Sequence, residues 1–131
     1  MSSLKITVHV KKEPSEDVWC ATRYADYDEF WCYHLDVTFI CESYEHHEIE
    51  WLVKDYKMYT IYFYEELLES MENDITFMKP NKHGQCIGYD GIHFVLINSN
   101  AKGKQLTKLS FPKEKGISII KEIIEQYDEQ R

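Results

Sequence analysis

Two groups of side chains in this chain have the types and spacing that chemistry needs. His46 and His47 sit between Glu45 and Glu48, a run of imidazoles and carboxylates of the kind that holds a metal ion. On a strand, adjacent side chains point to opposite faces, so the two imidazoles share an ion only if a turn brings them round. The i, i+4 helical spacing of a metalloprotease is missing. Cys32, His34 and Asp36 alternate along one face of a stretch read below as a strand, offering a thiol nucleophile, a base and an orienting acid. Same-face neighbours on a strand stand about 7 Å apart, too far for direct hydrogen bonds, and no oxyanion-donating loop lies beside them. His83-Gly84-Gln85-Cys86-Ile87-Gly88 lies between strands and reads as a turn and a bulge, not a phosphate cradle. Gly-x-Gly-x-x-Gly, P-loop, Cys-x-x-Cys and Gly-x-Ser-x-Gly patterns are absent. The expectation is a protein with no catalytic residues, no metal site and no cofactor.

Binding chemistry is better represented. Tyr24 to Trp31 interleaves aromatic rings with Asp26, Asp28 and Glu29, and Asp17 is nearby. Rings such as those of Tyr24 and Tyr27 supply contact area at low entropic cost, and carboxylates grip Arg and Lys through charge-assisted hydrogen bonds. Glu42, Tyr44, Glu45 and Glu48 form a second cluster of the same type. The charge of the chain is unevenly spread to match. Residues 1–12 carry Lys5, Lys11 and Lys12, whereas residues 13–76 carry 17 Asp/Glu against Arg23, Lys54 and Lys57. Residues 77–131 return to a small positive balance, and the whole chain stands at −8. A phosphate backbone needs a basic footprint, so direct nucleic-acid binding is not expected. A basic protein partner fits the acidic clusters, and the competing reading is a solvated face that keeps the protein in solution.

The elements that position these residues follow from periodicity. Leu4 to Val10 alternates as a strand, with Pro14 ending it in a loop, and a second strand is expected over Trp19 to Ala25. Trp31, Tyr33, Leu35, Val37, Phe39 and Cys41 share one face of a long half-buried strand; Cys32, His34, Asp36, Thr38 and Glu42 share the other, with Ile40 as the exception. A turn near Ser43 leads to a return strand with Ile49, Trp51 and Val53 on its core side. Thr60 is placed to cap a helix whose stripe is Ile61, Tyr64, Leu67, Leu68 and Met71, ending at Asn73-Asp74. Strands are expected over Ile75 to Met78, Gln85 to Tyr89, Ile92 to Asn98 and Gln105 to Phe111, with Asp90-Gly91 as a two-residue hairpin turn. After Pro112 comes a helix with the stripe Ile117, Ile120, Ile124 and Tyr127.

The order β-β-β-β-α-β-β-β-β-α predicts an α+β fold, a mostly antiparallel sheet packed against two helices, in a single domain over residues 1–131. Which face of the sheet carries the helices stays open, as does the choice between monomer and homodimer. No apolar run reaches the ~20 residues of a membrane span, and no signal-peptide pattern follows Met1. Cys20, Cys32, Cys41 and Cys86 are widely spaced and read as reduced thiols in a cytoplasmic protein.

The long aromatic strand Phe30 to Val37, the Glu-rich helix Tyr64-Glu65-Glu66-Leu67-Leu68-Glu69, the later hairpins and the closing helix Ile119 to Ile124 together resemble the immunity proteins that bacteria pair with polymorphic contact-dependent toxins, in particular the WapI-like group. The resemblance spans about Trp31 to Tyr127. It implies a cytoplasmic protein that binds one cognate toxin domain, often a nuclease, and blocks it, and it carries over no catalytic residue. The alternatives are an adaptor or subunit of a larger assembly, a phage-borne inhibitor of a host defence protein, and a small hydrolase using the Cys32 face or the His46-His47 turn.

Overall fold

In the computed structural model, residues 3–14, 26–27, 31–42, 48–54, 60–80, 85–99 and 105–131 are described. They form strands β1 (Ser3–Pro14), β2 (Asp26–Tyr27), β3 (Trp31–Glu42) and β4 (Glu48–Lys54), then helix α1 (Ile61–Glu72). Strands β5 (Cys86–Tyr89), β6 (His93–Ser99) and β7 (Gln105–Pro112) follow, and helix α2 (Lys113–Gln130) closes the series. The class is α+β and every strand pairing is antiparallel. The strands form two sheets, of four and three strands, and not one. Two compact units account for the chain: Met1–Tyr64 with Glu122–Arg131, and Glu65–Lys121. Both helices contribute residues to each unit.

The first unit is organised by β3. Its alternation is realised residue by residue: Tyr33, Leu35, Val37, Phe39 and Cys41 are buried, and His34, Asp36, Thr38 and Ile40 between them are half-exposed. Burying each of the larger apolar side chains stabilises by about 1.5–3 kcal/mol, and a one-residue slip would turn all five to solvent, so one register is enforced. Along one side of β3 runs the whole of β1, Leu4 opposite Cys41, Val8 opposite Val37 and Pro14 opposite Trp31. Thus β1 is longer than the expected Leu4 to Val10, because Pro14 is its last paired residue and does not lie in a loop beyond the strand. The other side of β3 is shared: β2 occupies Cys32 and Tyr33, and β4 occupies Asp36 to Glu42. Val53, Trp51 and Ile49 pair with Val37, Phe39 and Cys41, as the return-strand pattern requires. The strand expected over Trp19 to Ala25 lies outside the described residues.

The second unit holds the sheet β5-β6-β7. Segment Ile75 to Met78 is not a strand but meets the sheet through one bridge, with Phe77 N donating to Tyr89 O at 2.8 Å and Tyr89 N to Phe77 O at 2.9 Å. Only Phe77 of this segment is buried; Ile75 is 58% exposed, so no alternating face drives a longer ladder. The hairpin turn is Gly91-Ile92, one residue later than expected. Asp90 pairs with His93, and its Oδ1 accepts from the amides of Ile92 and His93 at 2.8 and 2.7 Å. Gly91 takes φ 101°, a conformation open to glycine.

Helix α1 follows its predicted stripe, with Ile61, Tyr64, Leu67 and Met71 buried and Leu68 half-buried. Its end is a Schellman arrangement: Ile75 N bonds to Ser70 O at 2.9 Å, Asp74 N to Met71 O at 3.4 Å, and Asp74 takes φ 54°. In α2 the buried residues are Gly116, Ile119, Ile120, Ile123 and Tyr127, while Ile117 and Ile124 are only half-buried. The stripe is rotated from the expected one and includes Gly116, where the helix lies close against β6: a Cβ there would lie 2.5 Å from Phe94 Cβ.

Candidate functional site

The two acidic-aromatic clusters are anchored at opposite ends of β3. Asp26 pairs with Tyr33 and Tyr27 with Cys32, whereas Glu42 pairs with Glu48. From Cys32 to Glu42 is ten residues of strand, roughly 33 Å at about 3.3 Å per residue. One small partner contact therefore does not span both. Tyr24, Asp28, Glu29, Tyr44 and Glu45 lie outside the described residues, as do His46 and His47; for Asp26, Tyr27, Glu42 and Glu48 the backbone positions are described.

At the Glu42 end the register sets two acidic residues directly opposite one another across β3 and β4, with Ser3 on the far side of Glu42. Like charges in directly opposed positions of an antiparallel pair are mutually unfavourable, and a cation brought to them relieves that repulsion. At the Asp26 end the aromatic residues already hold cations of the chain itself. Lys12 Nζ lies 4.9 Å from the Trp31 ring centroid and 5.8 Å from that of Tyr33. The Arg131 guanidinium lies 5.3 Å from the Tyr33 ring and 5.8 Å from the Tyr127 ring. Trp31 keeps 39% of its surface exposed. This end is therefore a mixed aromatic and cationic patch beside Asp26, not a purely acidic one. No local pattern in the sequence announces it, since Lys12, Trp31 and Arg131 meet only through the β1–β3 pairing and the end of α2.

The face bearing Cys32, His34 and Asp36 is organised differently from a nucleophile–base–acid line. Across β1, the register puts Glu13, Lys11 and His9 opposite Cys32, His34 and Asp36 respectively. His34 Nε2 has Glu13 Oε2 at 3.4 Å, is shielded from solvent and makes no hydrogen bond. Glu13 in turn accepts from Lys11 Nζ at 2.8 Å, and that bond holds its carboxyl below the usual range and the Lys11 amine above it. The acid beside His34 is thus Glu13, from a strand the motif did not include. Cys41 and Cys86 are buried, and burial pushes the Cys86 thiol up, which disfavours the reactive thiolate. Among the described residues no group of three or more His, Cys, Asp or Glu is placed to hold a metal ion.

The second unit contains a polar network that sequence reading missed. Tyr89, buried within the sheet, brings its hydroxyl within 2.8 Å of Asp74 Oδ1 and 2.9 Å of Gly91 O, two acceptors for one proton. Lys113 Nζ donates to the same Asp74 oxygen at 2.8 Å. Lys113 first and Tyr89 second hold the Asp74 carboxyl below its ordinary range, while Asp74 raises both the Tyr89 hydroxyl and the Lys113 amine. The network ties the end of α1, the β5–β6 turn and the start of α2 together. Its one legible sign was Asp74 at the helix end, a residue type that tolerates the left-handed conformation.

No family model matches the chain, and no curated protein or solved structure matches it. Among the described residues, no helix is long and apolar enough to cross a membrane.

Proposed function

We infer that the chain is an immunity-type protein inhibitor, which binds and occludes a basic partner, a toxin domain of the nuclease kind, through its acidic-aromatic clusters and without catalysis. The observation that carries this reading is the Glu42–Glu48 pairing, which sets two acidic residues in directly opposed positions at one end of the sheet. It lies in the part of the chain, residues 13–76, that carries 17 Asp/Glu against three basic residues. A site built to attract phosphate is basic, and an inhibitor with an acidic face gains both affinity and association rate from it. The Glu42, Tyr44, Glu45 and Glu48 cluster is the stronger of the two candidates. The cluster of Tyr24, Asp26, Tyr27, Asp28 and Glu29 is the weaker candidate, because at the end of β3 where Asp26 and Tyr27 pair, Lys12 already lies over the Trp31 ring and Arg131 over the Tyr33 ring.

The test is capture of partners on tagged protein from host lysate at low and high salt, in parallel with a Glu42→Lys/Glu48→Lys variant of verified fold. Recovery of one basic protein that is lost at high salt, and lost again with the variant, supports the reading. A partner retained equally by the variant removes the Glu42 end from the account, and recovery of an acidic or neutral partner overturns the inhibitor reading.

A further inference from the structure

Gln130, in the last turn of α2, makes an unusual pair of bonds to the backbone of β1. Its Oε1 accepts from Val10 N–H at 2.9 Å and its Nε2 donates to Val8 C=O at 2.8 Å. Backbone groups of alternate residues in a strand point to opposite edges. These contacts therefore identify Leu4, Ile6, Val8, Val10 and Lys12 as the residues whose N–H and C=O groups face away from β3. Among the described residues β1 pairs with β3 alone, so Gln130 covers the centre of an edge that is otherwise unpaired over a twelve-residue strand. One C=O and one N–H presented to the groups flanking His9 are what an added strand would present there. The carboxamide is a one-residue substitute for that strand.

We propose that the outer edge of β1 is a strand-addition site for an extended acidic segment of a partner protein, with Gln130 as its resident plug. Strand addition draws affinity from main-chain bonds and selectivity from alternate side chains. Leu4, Ile6, Val8 and Val10 line one face and require apolar residues opposite; Lys5, Thr7, His9 and Lys11 line the other and are exposed. On that polar face of β1, Lys5 and Lys11 against Glu13 leave a net positive charge, so acidic residues on the polar face of the incoming segment are favoured. A second copy of the chain is disfavoured by the same arithmetic. Antiparallel β1–β1 pairing centred on Val8 sets Lys5 against Lys11. The site is on the opposite side of β3 from β2 and β4, so it is independent of the acidic clusters and of the function inferred from them.

The experiment titrates the full chain with a blocked ten-residue peptide of alternating valine and glutamate, by calorimetry and by amide hydrogen exchange. Gln130→Ala is compared with the parent, and Gln130→Glu, which keeps an acceptor and loses the donor, stands in if the alanine variant does not fold. The plug competes with two hydrogen bonds, so removing it is expected to tighten peptide binding roughly tenfold or more. The bound peptide should protect the amides of Ile6, Val8, Val10 and Lys12 while leaving those of Lys5, Thr7, His9 and Lys11 unchanged. An alternating valine–lysine peptide, and the acidic peptide N-methylated at alternate residues, should bind at least tenfold more weakly. Equal affinity of parent and both variants, protection without that alternation, or self-association of the variant in place of peptide binding would each overturn the proposal.

Discussion

Gly116→Ala puts two opposing magnitudes against each other. Within a helix alanine is favoured over glycine by about 1 kcal/mol, so on propensity alone the variant is the more stable protein. The space around Gly116 says the opposite. An added Cβ meets Phe94 Cβ at 2.5 Å, Phe94 Cγ at 2.7 Å and Met71 Sδ at 3.0 Å. Carbon atoms sit comfortably at about 3.5–4.0 Å, so α2 or β6 must move by an ångström or so. Met71 can yield, being a flexible thioether, but Phe94 Cβ is fixed to the strand backbone. Overpacking of this kind costs about 1–3 kcal/mol, and the size of the overlap argues for the upper end. The net expectation is a loss of about 2 kcal/mol, seen as a lower urea midpoint at unchanged slope and a fall in Tm of about 6–10 °C for a chain of this size. Trimming the ring with Phe94→Ala leaves the closest contact in place, so the double variant is not rescued. Ser118→Ala, at an exposed position of the same helix, should stabilise by a few tenths of a kcal/mol and isolates the propensity effect. A Gly116→Ala protein at least as stable as its parent would refute the close approach of α2 to β6.

Asp74→Asn bears on the acid limb of stability. The folded carboxyl titrates below its unfolded value, so its contribution is present above that unfolded value and disappears as pH falls through the depressed folded one. The variant should therefore flatten the urea midpoint against pH profile below about pH 4 relative to the parent, and an unchanged acid limb would show that Lys113 and Tyr89 do not engage this carboxylate in solution. Leu35→Ala, at a position 1% exposed in the centre of β3, should cost about 2–5 kcal/mol by denaturant titration. Lys12→Ala should change the fluorescence contributed by Trp31 and cost no more than about 1 kcal/mol, as expected of a cation at an exposed ring face.

What was legible in the sequence depended on whether burial imposed a period. The alternation from Tyr33 to Cys41 named the buried face of β3 because one side of that strand is covered and the other is not, whereas Trp31, expected on the same face, is exposed at the strand's start. Thr60, Asn73-Asp74 and Pro112 marked helix boundaries because capping chemistry is local. Pairing was not legible: nothing in Leu4 to Val10 says that its neighbour is Phe39 and not a strand closer in sequence, and nothing separates β5, β6 and β7 into a sheet of their own. The Ile75 to Met78 segment has the composition of a strand, but a single residue, Phe77, is all that the core takes from it. The candidate site divides the same way. Carboxylates and tyrosines could be counted, but the opposition of Glu42 to Glu48 exists only in the register.

That register also explains how one sheet offers two unlike surfaces. Because β3 is central, its two sides face different chain segments: β1, with Lys5, Lys11 and Lys12, on one; β2 and β4, with Asp26 and Glu48, on the other. The charge segregation along the sequence thus becomes a segregation across the sheet, with a basic edge strand on one side and acidic residues at both ends of the other. Lysines on an edge strand discourage unwanted strand pairing. On β1 two of them are also engaged within the chain, Lys11 by Glu13 and Lys12 by the Trp31 ring. The same residues that protect the edge from copies of itself are those an acidic segment would meet there. Gln130 then decides whether the centre of that edge is open, which makes the last turn of α2, and not the strand's own charge, the controlling element.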